Sequence, residues 1–441
     1  MTATAEALPN PDAFDPQRVI YRAFDNARAY LDDLYNVYRS LYDLPEIRYE
    51  EELSDKSLFD YCRKRDYYNL IVPYTLDGKL LVERAFAHNR LSWGVIGGGV
   101  KPALNDNFVN AVQRHIERYV QDMRLGEIEP IAFLDNIFRH DGEEHHHRGI
   151  AFIARIRNPR PQRLLDDAYN SRSFFVPGEI DPMIFGSRHH QDVVRHAKPR
   201  IALATLFGEQ ENEIEVNDRY RHRYQVHAAI VKPLMSLASR IFYESSIDDL
   251  NRRIESILTS NNNKSVMDVA CGENLSHIRL AAENKVSLVV GNDISWSQIE
   301  LMRDAVSTKK FRNLDSFVLF TNHDARRLPF ADDAFGCVIC KNVLHHMPDQ
   351  DSVQALISET RRVGRRALIV EVLDPKYEGR WGRLRHRYYL DFLHDAGTHF
   401  LSRQEFHHLT DFPDRRELFE MRTVRGIYQF ALFHNDESIQ E

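Results

Sequence analysis

The sequence predicts an α/β protein: a doubly wound, mostly parallel sheet in its C-terminal part, preceded by a smaller α+β domain with helical segments before and after it. Three observations predict this. Beyond a polar break at SNNNKS (260–265), short apolar strands alternate with helices, the pattern of a parallel sheet covered on both faces. Between 66 and 190, strand-like runs separated by turn residues surround one helical segment. The chain has 441 residues, enough for at least two separate cores.

Taken in order, residues 1–16 are small, polar and Pro-containing and carry no core pattern. From 16 to about 65 the apolar positions Val19, Ile20, Phe24, Ala27, Tyr30, Leu31, Leu34, Tyr38 and Leu41 recur at three and four, which predicts helix over that stretch and makes 1–65 a helical N-terminal segment. YYNLIVPY and KLLVERAF read as strands joined at Leu76-Asp77-Gly78, and LSWGVIGGGV is a third apolar stretch ending in glycines. NDNFVNAVQRHIERYVQDM predicts a helix capped by Asn105 or Asp106. PIAFLDNIF, RGIAFIARI and SFFVP are further strands, closing a domain at 66–190. Residues 191–262 predict a helical connector, and 263–441 the parallel-sheet domain with strands at SVMDVAC, SLVVGNDI, SFVLFTNHD, FGCVICKNV and RALIVEVLD.

Bulk properties narrow the function. A formal net charge of −7 and the lack of a basic run weigh against nucleic acid as partner. No apolar run reaches membrane-spanning length and the N-terminus lacks a signal-peptide pattern, so the expected location is the cytoplasm. Four scattered cysteines fit a reducing compartment. Cys337 and Cys340 fall on a buried strand, where a spacing of three places them on opposite faces; they read as core residues.

VMDVACGENLSHIRLAAE is a strand, a tight glycine turn and a helix start, which brings backbone N–H groups to a ligand at the strand's carboxyl end. The next strand ends in GNDIS, where Asp293 is placed to accept from two ribose hydroxyls. The third ends in TNHDARRLPF and the fourth runs into CKNVLHHMPD. Together, in order and spacing, these segments resemble class I S-adenosylmethionine-dependent methyltransferases over the C-terminal domain. The family's D-x-G-x-G-x-G stands here as Asp268-Val-Ala-Cys-Gly-Glu-Asn274, so Gly272 is the one glycine kept.

The resemblance implies S-adenosyl-L-methionine as cofactor and a site for it. Asp268 with the backbone of Ala270, Cys271 and Gly272 would hold the methionine end, and Asp293 with Ile294 the ribose. Asp324 and Ala325 would meet the adenine, and Asn342 would lie near the methyl donor. His345 or His346 could serve as general base on an acceptor, its pKa lying near neutrality; the alternative is that these histidines pack and satisfy backbone groups. Methyl transfer from a sulfonium needs mainly proximity and alignment. The stretch 380–399 carries Arg383 and Arg387 four apart, followed by Tyr388 and Tyr389. Arginines with aromatics suit an anionic or planar small-molecule acceptor; a solvated helix face is the other reading.

In the N-terminal half, Gly97-Gly98-Gly99 precedes a helix whose Ala111–Ile116 frame is similar to that of the Nudix family. The family's metal-binding glutamates are replaced by His115, Arg118 and Tyr119. Because Mg²⁺ needs oxygen ligands, the resemblance implies a Nudix-like fold used for recognition, regulation or homodimer contact, with no metal. Glu143-Glu144-His145-His146-His147 reads as a solvated loop. The competing functions are a diphosphate hydrolase with relocated ligands, a non-catalytic nucleotide or S-adenosylmethionine binder, and an RNA methyltransferase.

Overall fold

The structure is a computed structural model and describes residues 27–63, 67–87, 90–100, 107–118, 125–156, 172–208, 246–272, 276–295, 298–299, 302, 318–374, 376, 382–384, 387, 399–413, 415–423 and 426–434. The chain divides into two compact units, one of residues 17–213 and one of residues 1–16 with 214–441.

In the first unit, α1 (Ala27–Leu41) leads into β1 (Glu46–Glu52), α2 (Lys56–Arg63), β2 (Tyr67–Thr75), β3 (Leu80–Ala87), β4 (Arg90–Gly94), β5 (Ile96–Gly99), α3 (Phe108–Glu117), β6 (Leu125–His140), β7 (Glu143–Ile156), β8 (Arg172–Val176) and α4 (Arg188–Gly208). The sheet runs β1-β6-β7-β2-β3-β4, with β5 on β2 and β8 on β3. The β2–β3 turn forms as the sequence implies: Gly78 takes φ +77 and Thr75 N donates to Lys79 O. Helix α4 covers one face, packing Val193, Val194 and Ala197 on Ile47, Tyr68, Leu134 and Ala151. On the other face, Tyr35 and Tyr38 of α1 meet Phe108, the first residue of α3, and Asn69 Nδ2 donates to Phe108 O at 2.7 Å.

Three expectations are corrected here. The segment 1–65 is not helical throughout: EIRYEEE forms β1, parallel to β6 with Ile47 opposite Leu134. Its charges suit an exposed edge strand, and pairing with β6 outweighs its helix-like composition. The cap of α3 is Asn107, whose side chain accepts from Asn110 N at 2.7 Å. Residues 143–147 are strand, because the positive-φ pair Asp141-Gly142 makes a tight hairpin that extends β6 and β7 through the histidines. His145 is buried, and His146 lies between Asp135 and Glu144.

The second unit opens with α5 (Ile247–Leu258), started by a Ser246/Asp249 capping box. Then come β9 (Ser265–Asp268), α6 (Ser276–Ala282), β10 (Leu288–Asn292), β11 (Val318–Thr321), β12 (Cys337–Lys341), α7 (Gln350–Arg362), β13 (Arg366–Val372), α8 (Arg403–Leu409), β14 (Arg415–Thr423) and β15 (Gly426–His434). The sheet order is β11-β10-β9-β12-β13-β15-β14; the first five strands are parallel and the last two join antiparallel. The predicted strands are all present; β9, β10, β12 and β13 are nearly continuous in burial, as strands covered on both faces require, whereas the edge strand β11 is half-buried beyond Val318. Chain order reverses between β9 and β12, so the carboxyl ends of β9, β10 and β12 flank the topological switch point where open α/β sheets bind ligands. Cys337 and Cys340 are buried in β12, and burial pushes both thiols up, Cys337 to about 11. Among the described residues no helix is long and apolar enough to cross a membrane.

Candidate functional site

The predicted cofactor residues gather at the carboxyl ends of four neighbouring strands, β11, β10, β9 and β12. Asp268 closes β9 opposite Gly291 of β10. The chain then turns through Ala270, Cys271 and Gly272, and Gly272 takes φ +49 with nothing among the described residues within 4 Å of where a Cβ would stand. Left-handed backbone favours glycine there, and the space beside it is open. Cys271 N donates to Asn292 O at 2.8 Å, which ties this turn to the end of β10.

Asp293 follows β10 and faces the turn. Its Oδ2 accepts from Gly272 N and its Oδ1 from Ser295 N, each at 2.8 Å. Burial raises its carboxyl above the ordinary value, and the two backbone N–H groups offset only part of that. Each oxygen keeps a lone pair for a further donor. Ile294, the next residue, is half-buried, and its carbonyl accepts from Asn322 Nδ2 at 2.8 Å.

Asp324 and half-buried Ala325 follow β11. Asp324 is already engaged: Arg326 Nη2 donates to its Oδ2 at 2.6 Å, and Arg326 N and Nε both reach its Oδ1. An adenine amine there would share the carboxylate with a guanidinium. Asn342 follows β12 at φ +55, with N donating to Val370 O, and its buried Oδ1 has no hydrogen-bond partner among the described residues.

The two histidines after β12 differ in surroundings. His345 is 3% exposed, its Nδ1 lies 2.8 Å from Glu371 Oε1, and its ring stacks on Phe400. His346 is exposed. Of the acceptor stretch, Arg383 and Arg387 are exposed, whereas Tyr388 and Tyr389 lie outside the described residues, as does Asn274.

Sequence reasoning missed the polar groups that hold this rim together. Asn292 is fully buried; its Nδ2 donates to Val269 O and His323 O, and its Oδ1 accepts from Thr321 Oγ1 and His323 N. Asn322 Nδ2 donates to Asp293 O and Ile294 O. Glu371, 1% exposed, accepts from Val343 N, Leu344 N, His345 Nδ1 and Val372 N. The available signal was an asparagine or glutamate inside an otherwise apolar strand.

The residues present fit a nucleoside-type cofactor with a charged amino-acid end. Asp268 Oδ1 and Asn342 Oδ1 are buried acceptors without partners among the described residues, and a Cβ at Gly272 would meet nothing among them within 4 Å. Residues 266–366 match the family model for a methyltransferase domain. The methyltransferase GfsG of Streptomyces halstedii is 33% identical over 108 residues, 24% of this chain and 37% of that protein. The 27-O-demethylrifamycin SV methyltransferase of Amycolatopsis mediterranei is 31% identical over 130 residues, 30% of this chain and 46% of that protein. The chain thus spans less than half the length of these two relatives. The N-methyltransferase NodS from Bradyrhizobium japonicum, solved with S-adenosyl-L-homocysteine, is 12% identical with a TM-score of 0.32, covering 44% of this chain and 90% of that one. The carboxylates at successive strand ends and the family match together make residues 266–366 a methyltransferase domain of the S-adenosylmethionine-dependent class.

Proposed function

We propose that the whole chain catalyses methyl transfer from S-adenosylmethionine to a small-molecule acceptor, anionic or nucleotide-like in character, and that its N-terminal unit serves recognition or regulation. The observation that carries this is the row of Asp268, Asp293 and Asp324 at the ends of three adjacent parallel strands, beside a glycine turn with open space. When bound, the cofactor supplies a methyl group activated by its sulfonium. Asp293 receives ribose hydroxyls on oxygens already oriented by Gly272 N and Ser295 N, so the ordering cost is met before binding. Asp268 takes the ammonium end, and Asn342 closes the site at β12. Asp324, shared with Arg326, meets the adenine edge.

His345 is a positioning residue in this reading: clamped by Glu371 and stacked on Phe400, it fixes the loop after β12. His346, the exposed one of the pair, is proposed to take an acceptor proton. Arg383 and Arg387, exposed beyond β13, are proposed to meet acceptor charge, with Tyr388 or Tyr389 stacking on it.

For the N-terminal unit, a Nudix-like recognition role is supported by the order of a glycine strand (β5) and a helix (α3) over a mixed sheet. Arg114 Nη2 donates to Gly99 O at 3.0 Å, linking helix to strand. His115 is 1% exposed beneath Gly98, where a Cβ would come within 2.4 Å of its ring. A buried imidazole at that position offers no oxygen to Mg²⁺. The test of the whole proposal is mass spectrometry of small-molecule extract incubated with the protein and deuterated-methyl donor. The expected result is a labelled metabolite that depends on the protein, with S-adenosylhomocysteine formed in equal amount. A labelled RNA instead would sink the small-molecule assignment.

A further inference from the structure

Asp268 at the end of β9 and His277 on α6 are each 3% exposed. His277 Nδ1 lies 2.7 Å from Asp268 Oδ2, while Asp268 Oδ1 is buried and has no partner among the described residues. A buried carboxylate half satisfied in this way carries the desolvation cost of its other oxygen until a donor arrives. An ionised carboxylate only accepts, so the imidazole proton sits on Nδ1 and its tautomer is fixed by the contact.

We infer that His277 is a positioning residue for the cofactor: it holds the Asp268 carboxylate with Oδ1 turned to receive the ammonium of the methionine end, so that the pair selects a cofactor carrying that charge. The inference rests on the S-adenosylmethionine reading of this site. Without the Nδ1–H bond the carboxylate rotates about its own side-chain bond, and the ammonium must order it on binding. A neutral hydroxyl would fill one lone pair and leave the buried charge unbalanced; a cationic donor meets both needs. His277 lies on the helix face turned to the sheet, with Ile278, Leu280 and Ala281 buried around it.

The test is calorimetric titration of the full chain with two ligands, S-adenosylhomocysteine and 5′-methylthioadenosine. They share the adenosine and the thioether, and only the first carries the amino-acid end. Wild type is expected to bind both. His277→Leu should weaken S-adenosylhomocysteine at least about tenfold, as loss of an ordered charge-assisted bond implies, and 5′-methylthioadenosine less than about twofold. His277→Asn, whose amide nitrogen can stand where Nδ1 stood, should restore most of the difference. Equal weakening of both ligands would make His277 merely structural and overturn the inference, as would undiminished S-adenosylhomocysteine binding by the leucine variant. Wild type that binds neither ligand would remove the cofactor reading itself, and this inference with it. A measurement on wild type covers the case of a misfolded variant. The His277 Nδ1–H proton resonance should move on adding S-adenosylhomocysteine and stay in place with 5′-methylthioadenosine; an identical response to both ligands contradicts the proposal.

Discussion

Burial raises the Asp293 carboxyl above its ordinary value of 3.8, although two backbone N–H groups donate to it. A carboxyl raised by folding opposes stability when ionised: its contribution is favourable below the ordinary value and is lost as pH rises through the raised one. In the proposed site binding has the opposite preference, because only the carboxylate would accept from two ribose hydroxyls. Affinity for S-adenosylhomocysteine is therefore expected to fall as pH drops through a window above 3.8, and Asp293→Asn should flatten that dependence. At neutral pH the same variant should bind about tenfold more weakly, as the loss of one charge-assisted bond implies, with the fold intact. Titrations of both proteins across pH check this, and parallel pH curves would place the titrating group elsewhere. The acidic residues of the site were legible in the sequence because each stands at the end of an apolar run. Asn292 was not: its four hydrogen bonds tie the end of β10 to the ends of β9 and β11, which only the fold brings together.

Glu371 shows what an element needs beyond its pattern. RALIVEV reads as a buried strand, and β13 is one, yet its glutamate is turned inward to hold the β12 loop through three donors, Val343 N, Leu344 N and His345 Nδ1. Replacing it with leucine leaves a buried imidazole and two backbone N–H groups without their acceptor. Glu371→Leu should cost about 3 kcal/mol in denaturant unfolding of the full chain. A loss below about 1 kcal/mol would mean that the loop finds other acceptors. The parallel strands were legible because burial on both faces writes near-continuous apolar runs. β1 was not, since EIRYEEE buries mainly Ile47 and is strand only because β6 offers it a ladder. The extension of β7 through His145–His147 was hidden for a similar reason: the Asp141-Gly142 turn sets where the hairpin begins.

At the scale of the molecule, each of the two compact units has its own sheet, and chemistry is proposed for one and recognition for the other. In the first, Glu117 at the end of α3 is exposed and takes Gln113 Nε2 at 2.8 Å, and His115 is buried. No Mg²⁺-dependent release of phosphate or nucleoside monophosphate is expected from a panel of nucleoside diphosphate compounds in a coupled phosphate assay. Turnover abolished by Glu117→Gln would put a metal site on this helix. The second unit carries the central claim, that residues at the ends of β9, β10 and β11 bind S-adenosylmethionine. Calorimetric titration of the full chain with S-adenosylmethionine tests it most directly. Saturable binding at one site per chain is expected, weakened at least about tenfold by Asp293→Ala in a protein that still melts cooperatively. No binding by wild type, or equal binding by both proteins, would contradict it.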